Sequence, residues 1–183
     1  DAYDREGLAA ALEMIRPDVV VDQLTALPAR LNPRKLREQM APTNRLRTEG
    51  TRNLMAAAQS AGVHRFVSQS IAFAYHPSAA SPAVESDLLY EQAPGGFDEI
   101  VRVIQEHEAV VLNTPGIDGL VLRYGSLYGP QTVYGQYGSF TEDVRKRRLP
   151  VVGNGRGEVS FIHAEDAASA AVKAARAGEP GIY

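Results

Sequence analysis

Short apolar segments, the first of them β-branched, alternate with longer segments of helical periodicity along this chain. The apolar runs occupy residues 17–24, 65–68 and 119–123. Apolar side chains recur at helical spacing in residues 4–15, 33–61, 97–112, 140–147 and 164–177. Strands that alternate with helices of this length connect by right-handed crossovers, so they form a parallel sheet with helices on both faces. The pattern predicts an α/β fold with a doubly wound parallel sheet.

Individual residues predict where several of these elements begin and end. Asp4 is expected to cap the first helix, because an aspartate at this place accepts a hydrogen bond from a free helical amide. Pro42 is expected to split residues 33–61 into two helices, with Thr43 capping the second and Gly62 ending it. Ile182 is expected to open a further strand.

The composition excludes several classes of function. The 183 residues suffice for a domain with a buried core. The absence of cysteine excludes disulfides and thiolate metal sites, and four histidines without clustered acids predict no metal site. The net charge of −3 predicts no nucleic-acid partner. No apolar run approaches the roughly 20 residues that span a bilayer, so we expect no membrane partner and a cytoplasmic location.

Three segments in the second half of the chain carry a family resemblance. They are Val-Leu-Arg-Tyr-Gly-Ser-Leu-Tyr-Gly-Pro (121–130), Leu-Pro-Val-Val-Gly-Asn-Gly (149–155) and Phe-Ile-His-Ala-Glu-Asp-Ala-Ala (161–168). In this order and spacing they resemble the extended short-chain dehydrogenase/reductases, the NAD-dependent epimerase/dehydratase family. The resemblance implies a Rossmann-like sheet, NAD or NADP as cofactor, and a nucleotide sugar or a small alcohol or ketone as substrate. It also implies a homodimer formed through the helices in residues 43–61 and 97–112.

The front of the family pattern has no counterpart in this sequence. A Gly-x-x-Gly-x-x-Gly loop, whose backbone amides approach the cofactor pyrophosphate, does not occur. Residues 1–26 instead resemble the family from the end of its third strand through its fourth. We therefore expect the first βαβαβ portion, roughly 50–65 residues, to be missing. Residues 1–125 would form a partial NAD(P)-binding domain, and residues 126–183 a partial substrate-binding subdomain.

The catalytic residues that the resemblance implies are replaced. The family uses a serine or threonine after its fifth strand and a Tyr-x-x-x-Lys pair, in which lysine lowers the tyrosine pKa and holds the ribose. No tyrosine here has a lysine four residues later. Aligning Glu108 with the glutamate that follows the family's pair places Ile100 and Ile104 at the tyrosine and lysine positions. The hydroxyl position falls at Ile71, with Ser70 one residue before it.

Other residues are candidates for the site by the same resemblance. We expect Tyr75 or Tyr128 to line the substrate cleft as a proton donor, with Ser70 beside them; the alternative is that both tyrosines are structural, at tight turns. Tyr75, Tyr124 and Tyr128 are expected on loops after strands, where open α/β sheets bind ligands. The expected cofactor-binding residues are Leu24, Thr25, Ala26, Arg47, Ser68, Ser70, Tyr124 and Gly125.

Three functions remain open at this point, of which the third is a structural or interaction protein that binds no cofactor. The first is an oxidoreductase or isomerase of the epimerase/dehydratase type with a non-standard active site. The second is a non-catalytic NAD(P)-binding sensor or interaction module of the same fold, which the replaced Tyr-x-x-x-Lys pair favours. Fold alone does not decide between them.

Overall fold

The computed structural model describes residues 1–78, 82–151, 154, 155 and 157–183. Its strands are β1 (Val19–Asp22), β2 (Arg65–Ile71), β3 (Asp118–Tyr124), β4 (Ser126–Tyr128), β5 (Phe161–His163) and β6 (Gly181–Ile182). Its α-helices are α1 (Arg5–Ile15), α2 (Leu36–Arg45), α3 (Thr51–Ser60), α4 (Phe97–Asn113), α5 (Ser139–Arg145) and α6 (Ala164–Arg176). A π-helical turn, Leu46–Gly50, joins α2 to α3, and Pro33–Lys35 and Ala72–Ala74 are 3₁₀ turns.

The main sheet is parallel throughout, with strand order β1-β2-β3-β6. A second, two-stranded parallel sheet pairs β4 with β5. The register places Asp22 beside Ser68 at one strand pair and Ser70 beside Arg123 at the next. The prediction of an α/β fold with a parallel, Rossmann-like sheet is confirmed, and Gly181–Ile182 forms the further strand expected near the end of the sequence.

Helices cover both faces of the main sheet because side chains on a strand alternate between its faces. On one face Phe66 and Val121 pack with Met55, Ala58 and Val111 from α3 and α4, and α1 packs outside α3. On the other face the apolar residues of the strands pack against α6; these are Val67, Leu120, Leu122 and Tyr124, against Ala167 and Ala174. The site described below lies on the α4 face, at the carboxyl ends of β1, β2 and β3.

The predicted division of residues 33–61 at Pro42 is wrong. Helix α2 continues through Pro42 to Arg45, and the π-helical turn then leads into α3. Thr43 is fully buried inside α2, where its hydroxyl accepts the Ala26 N–H over 3.2 Å instead of capping a helix. The tertiary packing of Met40, Thr43 and Asn44 therefore overrides the helix-breaking preference of the proline.

The other predicted ends agree with the structure. The Asp4 carboxylate accepts the Gly7 N–H, and Gly62 has a φ of 74° just after α3, a conformation that favours glycine. The glycines of residues 153–157 predict a turn between two strands, but Val152, Gly153 and Arg156 lie outside the described residues. Residues 157–160 are irregular, and β5 begins at Phe161.

The division into domains 1–125 and 126–183 stays a prediction. Among the described residues, no helix has the length and apolar character needed to cross a membrane.

Candidate functional site

Three groups of side chains meet where α4 packs on the carboxyl half of the sheet. The isoleucine cluster consists of Ile71, Ile100 and Ile104. The arginine network consists of Ser70, Tyr75, Glu108 and Arg123. The histidine network consists of Asp22, Thr51, Ser68 and His107. In an open α/β sheet this edge is where ligands bind.

The isoleucine cluster unites the three positions at which the resemblance implies catalytic groups. Ile100 and Ile104 are 2% and 1% exposed, and Ile71, at the end of β2, packs against them. The cluster is closed by Met40 from α2 and by the partly buried side chains Leu36, Leu89 and Phe97. None of these side chains donates or accepts a proton. This part of the site is therefore a packed apolar region that excludes water, and it provides no acid–base residue.

The arginine network lies next to the cluster and is fully hydrogen-bonded. Arg123 donates from Nε to Glu108 Oε1 over 2.9 Å and from Nη2 to Oε2 over 2.7 Å, a bidentate ion pair between side chains that are 6% and 5% exposed. Ser70 donates to Glu108 Oε1 over 2.6 Å. Arg123 Nη1 donates to the Tyr75 hydroxyl over 3.0 Å and to the Glu85 carbonyl over 3.2 Å.

This bonding sets the charge states of the network. Burial lowers the pKa of Arg123, but its hydrogen bonds to Glu108 and Tyr75 outweigh that effect and hold the pKa above its ordinary value. The arginine is therefore a fixed cation. It anchors Tyr75 and the loop at Glu85 to β3. Ser70 and Tyr75 were predicted to be catalytic; the structure engages both hydroxyls in this network, and their catalytic role stays a prediction.

The histidine network sits one strand further along, under the carboxyl end of β1. His107 Nε2 lies 3.0 Å from the Ser68 hydroxyl, and Ser68 lies 3.4 Å from Asp22 Oδ2. On the other side of the ring, Nδ1 lies 3.1 Å from the Thr51 hydroxyl and 3.2 Å from the Arg47 carbonyl. Because a carbonyl only accepts, we assign the proton to Nδ1, which leaves Nε2 to accept from Ser68.

Burial also fixes the charge of this histidine. His107 is 3% exposed, and burial lowers its pKa below the ordinary value, with Asp22 and the Arg47 carbonyl opposing. The ring is therefore neutral near pH 7. Its hydrogen bond to the Arg47 carbonyl connects α4 to the π-helical turn. Single π-helical turns occur frequently at functional sites.

Arg47 itself is a buried cation with a free donor. It is 8% exposed, its Nη1 has no hydrogen-bond partner, and no ion pair within 4 Å joins it to any described residue. Burial lowers its pKa, and the charge of Glu108 opposes that effect. Asn44, one turn earlier, is 9% exposed and has an unpartnered Oδ1. These two atoms point to a polar group that the described residues do not supply.

The structure corrects the expected position of two tyrosines. Tyr124 is the last residue of β3 and Tyr128 the last of β4, so neither lies on a loop. The Tyr124 ring packs on the α6 face, where its hydroxyl donates to the Ala167 carbonyl over 3.1 Å and burial raises its pKa. Tyr128 is 44% exposed and meets the Phe161 and His163 rings edge-on. Its role as a proton donor stays a prediction.

The remaining predicted cofactor residues lie around the end of β1 and the start of β4. Leu24, Thr25 and Ala26 are exposed after β1; the Leu24 amide donates to Asp22 Oδ1, and its carbonyl accepts from Gln69. A side chain on Gly125 would meet the Ser160 carbonyl at 2.7 Å, so this glycine allows β4 to pack closely on the chain before β5. A crevice at the ends of β1 and β2 is lined by Asp22, Leu24, Leu46, Arg47, Thr51, Ser68, Gln69 and His107.

Sequence reasoning missed the histidine network and used Glu108 only as an alignment marker. The sequence did indicate buried polar contacts here, because His107 and Glu108 lie at helical spacing on the same face of α4 as Ile104 and Val111. Polar residues in an apolar stripe require buried partners. The alternate serines of β2, Ser68 and Ser70, are those partners. Across the part of the chain that the structure describes, no group of three or more His, Asp or Glu side chains is arranged to hold a metal ion.

Comparisons with known proteins agree with this architecture. A protein named 3-diazoavenalumate denitrifying reductase, from a Streptomyces species, is 45% identical over 182 residues, which are 99% of this chain and 59% of the relative. A dTDP-glucose 4,6-dehydratase from Streptomyces venezuelae, solved with NAD bound, superposes with a TM-score of 0.74 at 21% identity, over all of this chain and 55% of its own.

A UDP-glucose 4-epimerase from Thermotoga maritima, solved with UDP-glucose, gives a TM-score of 0.77 at 22% identity and covers all of this chain and 60% of its own. At this identity the two solved structures establish the shared fold. The sequence model of the NAD-dependent epimerase/dehydratase family matches residues 1–183. The chain therefore belongs to the NAD-dependent epimerase/dehydratase family.

Proposed function

We propose that the whole protein is an NAD(P)H-dependent reductase that removes a diazo group from an aromatic acid as N₂. The observation that carries this proposal is the isoleucine cluster: Ile71, Ile100 and Ile104 pack together, at the three positions where the resemblance implies the family's hydroxyl, tyrosine and lysine. The similar Streptomyces protein, of which this chain spans 59%, is named as a denitrifying reductase of a diazo compound.

The chemistry explains why such a site needs no tyrosine. Reducing a ketone or oxidising a sugar alcohol moves a proton to or from an oxygen, and a general acid–base residue makes that possible. When bound, the reduced cofactor supplies a hydride to the ring carbon of an arenediazonium; a C–H bond forms, the C–N bond breaks, and its electron pair leaves with N₂ while the nicotinamide is oxidised. No oxygen atom changes its protonation.

The isoleucines have a positive role in this scheme. A diazonium carbon reacts with water, so the site must keep water away from it. Ile100 and Ile104, at 2% and 1% exposure, belong to a packed apolar cluster beneath the edge where the ligand would bind, and water finds no partner in that cluster. Carbonyl substrates would leave a developing negative charge beside this same cluster without a donor, which disfavours them.

We expect the nicotinamide cofactor to bind over the carboxyl edge of the sheet, next to the histidine network. The crevice at the carboxyl ends of β1 and β2 includes the buried polar side chains Asp22, Ser68 and Arg47, and Arg47 has an unpartnered donor. Ligands of open parallel sheets lie outside this edge. We therefore infer NAD or NADP as the cofactor, held in part by these residues.

The test uses the whole protein with NADH or NADPH labelled with deuterium at the transferring position. With an aromatic diazo acid, we expect cofactor oxidation, N₂ release and deuterium on the carbon that carried the diazo group. Nucleotide sugars and small ketones serve as the competing panel. Turnover of that panel without diazo reduction would overturn the proposal in favour of an epimerase or ketone reductase, and cofactor binding without any turnover would favour the sensor.

A further inference from the structure

A half-exposed phenylalanine follows the carboxyl end of β2, two residues after Ile71. Phe73 is the middle residue of the Ala72–Ala74 turn and is 50% exposed, whereas Ala74 beside it is fully buried. The centroid of the Phe73 ring lies 6.5 Å from that of the Phe97 ring, with 35° between the two planes. Phe97 in turn packs against the isoleucine cluster. Phe73 is therefore the exposed end of an apolar series that begins at the buried isoleucines, at the edge where open parallel sheets bind ligands.

The turn that carries Phe73 is held in place by the residues around it. The Tyr90 N–H donates to the Ala74 carbonyl over 2.8 Å. Arg123 Nη1 donates to the Tyr75 hydroxyl over 3.0 Å, which ties the residue after the turn to β3. A side chain presented on a fixed turn contacts a ligand at a small cost in conformational entropy. Phe73 is thus exposed, apolar and preorganised.

The chemistry of this surface identifies the kind of ligand. None of the four residues from Ile71 to Ala74 has a polar side chain. Aromatic rings associate with a phenylalanine ring in offset-stacked or edge-to-face arrangements, and cations are attracted to its face. An arenediazonium is both a flat aromatic ring and a cation, so it suits this surface. A sugar ring, whose hydroxyls need hydrogen-bond partners, would find none on it.

We propose that Phe73 is a specificity-determining residue that contacts the aromatic ring of the substrate and holds it over the isoleucine cluster. This assignment rests on the aromatic substrate of the proposed function, and not on the identity of the cofactor. Phe73 has no group that takes part in the bond changes, so its contact is equally strong in the bound substrate and in the transition state. It therefore acts on substrate binding and not on the rate of the chemical step.

The experiment measures steady-state reduction of 3-carboxybenzenediazonium by the whole protein at saturating NADH or NADPH. Phe73→Ala removes the ring, which predicts a rise in KM of about 5- to 50-fold with kcat changed by less than about threefold. Phe73→Tyr keeps the aromatic face and should keep KM near the wild-type value. Phe73→Leu keeps an apolar side chain without the ring and should lie between these two. Ile15→Ala, at a 63% exposed position on α1, is the control and should leave both constants unchanged.

A binding measurement makes the test independent of turnover. This chain contains no tryptophan, so Phe73→Trp adds a fluorophore at the proposed contact, and subtracting the wild-type spectrum isolates its emission. Benzoate is the product that the proposed reaction forms from the diazonium probe, and its titration should quench or shift this emission. The Kd of NADH or NADPH should be the same in Phe73→Ala as in the wild type, which also shows that the variant is folded.

Three results would overturn the assignment of Phe73. They are an unchanged KM in Phe73→Ala, a fall in kcat without a rise in KM, and a rise in the cofactor Kd equal to the rise in KM. Any of these in a protein that reduces the diazonium probe would leave the proposed function intact.

Failure of the proposed function gives a different pattern. A benzoate response of the Phe73→Trp emission, in a protein that reduces no diazo acid, would overturn the diazo reductase and support the aromatic contact. The absence of both diazo reduction and a benzoate response would overturn both proposals.

Discussion

Two consecutive turns of α4 differ completely in chemistry. The first presents Ile100 and Ile104 to an apolar cluster, at positions where the family resemblance implies the tyrosine and lysine that transfer protons. The next presents His107 and Glu108 to buried polar networks in which each side chain has hydrogen-bond partners. The buried polar contacts are therefore present in the second turn, whereas the first turn carries isoleucines at the two positions where the resemblance implies proton-transferring groups.

This difference shows that the framework and the reaction are separable. The Glu108–Arg123 pair ties α4 to β3 and Tyr75, and the His107 contacts tie α4 to β2 and the π-helical turn. Those ties fix the shape of the edge at which ligands bind. In the proposed function, the isoleucines provide no proton donor at that edge, which suits a hydride acceptor that needs no proton.

The largest expected effect comes from breaking the arginine network. Arg123→Met leaves Glu108 as a buried carboxylate without a cation, and we expect a loss of about 3–5 kcal/mol in the free energy of unfolding. Denaturant unfolding of the whole protein measures it. The exposed pair Arg45–Glu49 provides the control, since water screens this pair and Arg45→Gln should cost far less stability. Equal losses in the two variants would mean that the network is not a structural tie.

Truncating a residue of the isoleucine cluster should lower the free energy of unfolding only through lost packing. Ile104→Ala removes three buried carbons at a 1% exposed position, which predicts a loss of about 2–4 kcal/mol in unfolding free energy. Ile15→Ala, on α1 at 63% exposure, should cost far less. A loss below 1 kcal/mol for Ile104→Ala, as for typical surface changes, would show that this position is not tightly packed and would reopen it as ligand space.

Much of the fold followed from local patterns in the sequence. The strands at 19–22 and 118–124 are short, apolar and bounded by turn residues, and the helices at 5–15 and 97–113 repeat apolar residues at helical spacing. The π-helical turn and the intact helix at Pro42 did not follow, because they depend on packing against α4 and not on local preference.

The candidate site was less accessible from the sequence. Ile71, Ile100 and Ile104 were named by alignment, but their contact is visible only once β2 and α4 are packed. His107 and Asp22 are 85 positions apart and belong to one network only because Ser68 lies between them in space. Arg47 was predicted as a cofactor residue, whereas the lack of a partner for its Nη1 follows from the three-dimensional surroundings of the side chain.

The pH dependence of stability tests the histidine network. Burial lowers the pKa of His107, so as the pH falls below about 6.5 the unfolded chain takes up this proton before the folded one. The contribution of the neutral His107 ring to the free energy of unfolding is thus fully present above pH 6.5. It falls as the pH drops toward the folded-state pKa, by up to about 1.4 kcal/mol per pH unit. The charges of Asp22 and Glu108 favour the protonated ring, and the positive charge of the Arg47 side chain opposes it.

Unfolding measured between pH 5.5 and 7.5 checks this dependence. His107→Gln should flatten the slope in this window, because its neutral amide does not titrate. His64→Gln, at an exposed position after α3, is the matched control and should keep the slope. Equal slopes in all three proteins would show that His107 is not the titrating group.

The smallest effects are expected at the two tyrosines proposed as alternative proton donors. Tyr75→Phe loses the hydrogen bond from Arg123 Nη1, which predicts about 1 kcal/mol of lost stability. Tyr128→Phe, at a 44% exposed position, should cost less. If reduction needs no proton from the protein, both variants keep kcat for the diazo acid within about threefold, whereas removal of a general acid lowers it by roughly 10²- to 10⁴-fold. Steady-state rates at saturating cofactor decide between these outcomes. A large fall in kcat for either variant would show that this tyrosine is catalytic. The reaction would then still need a proton from the protein, and a residue outside the isoleucine cluster would donate it.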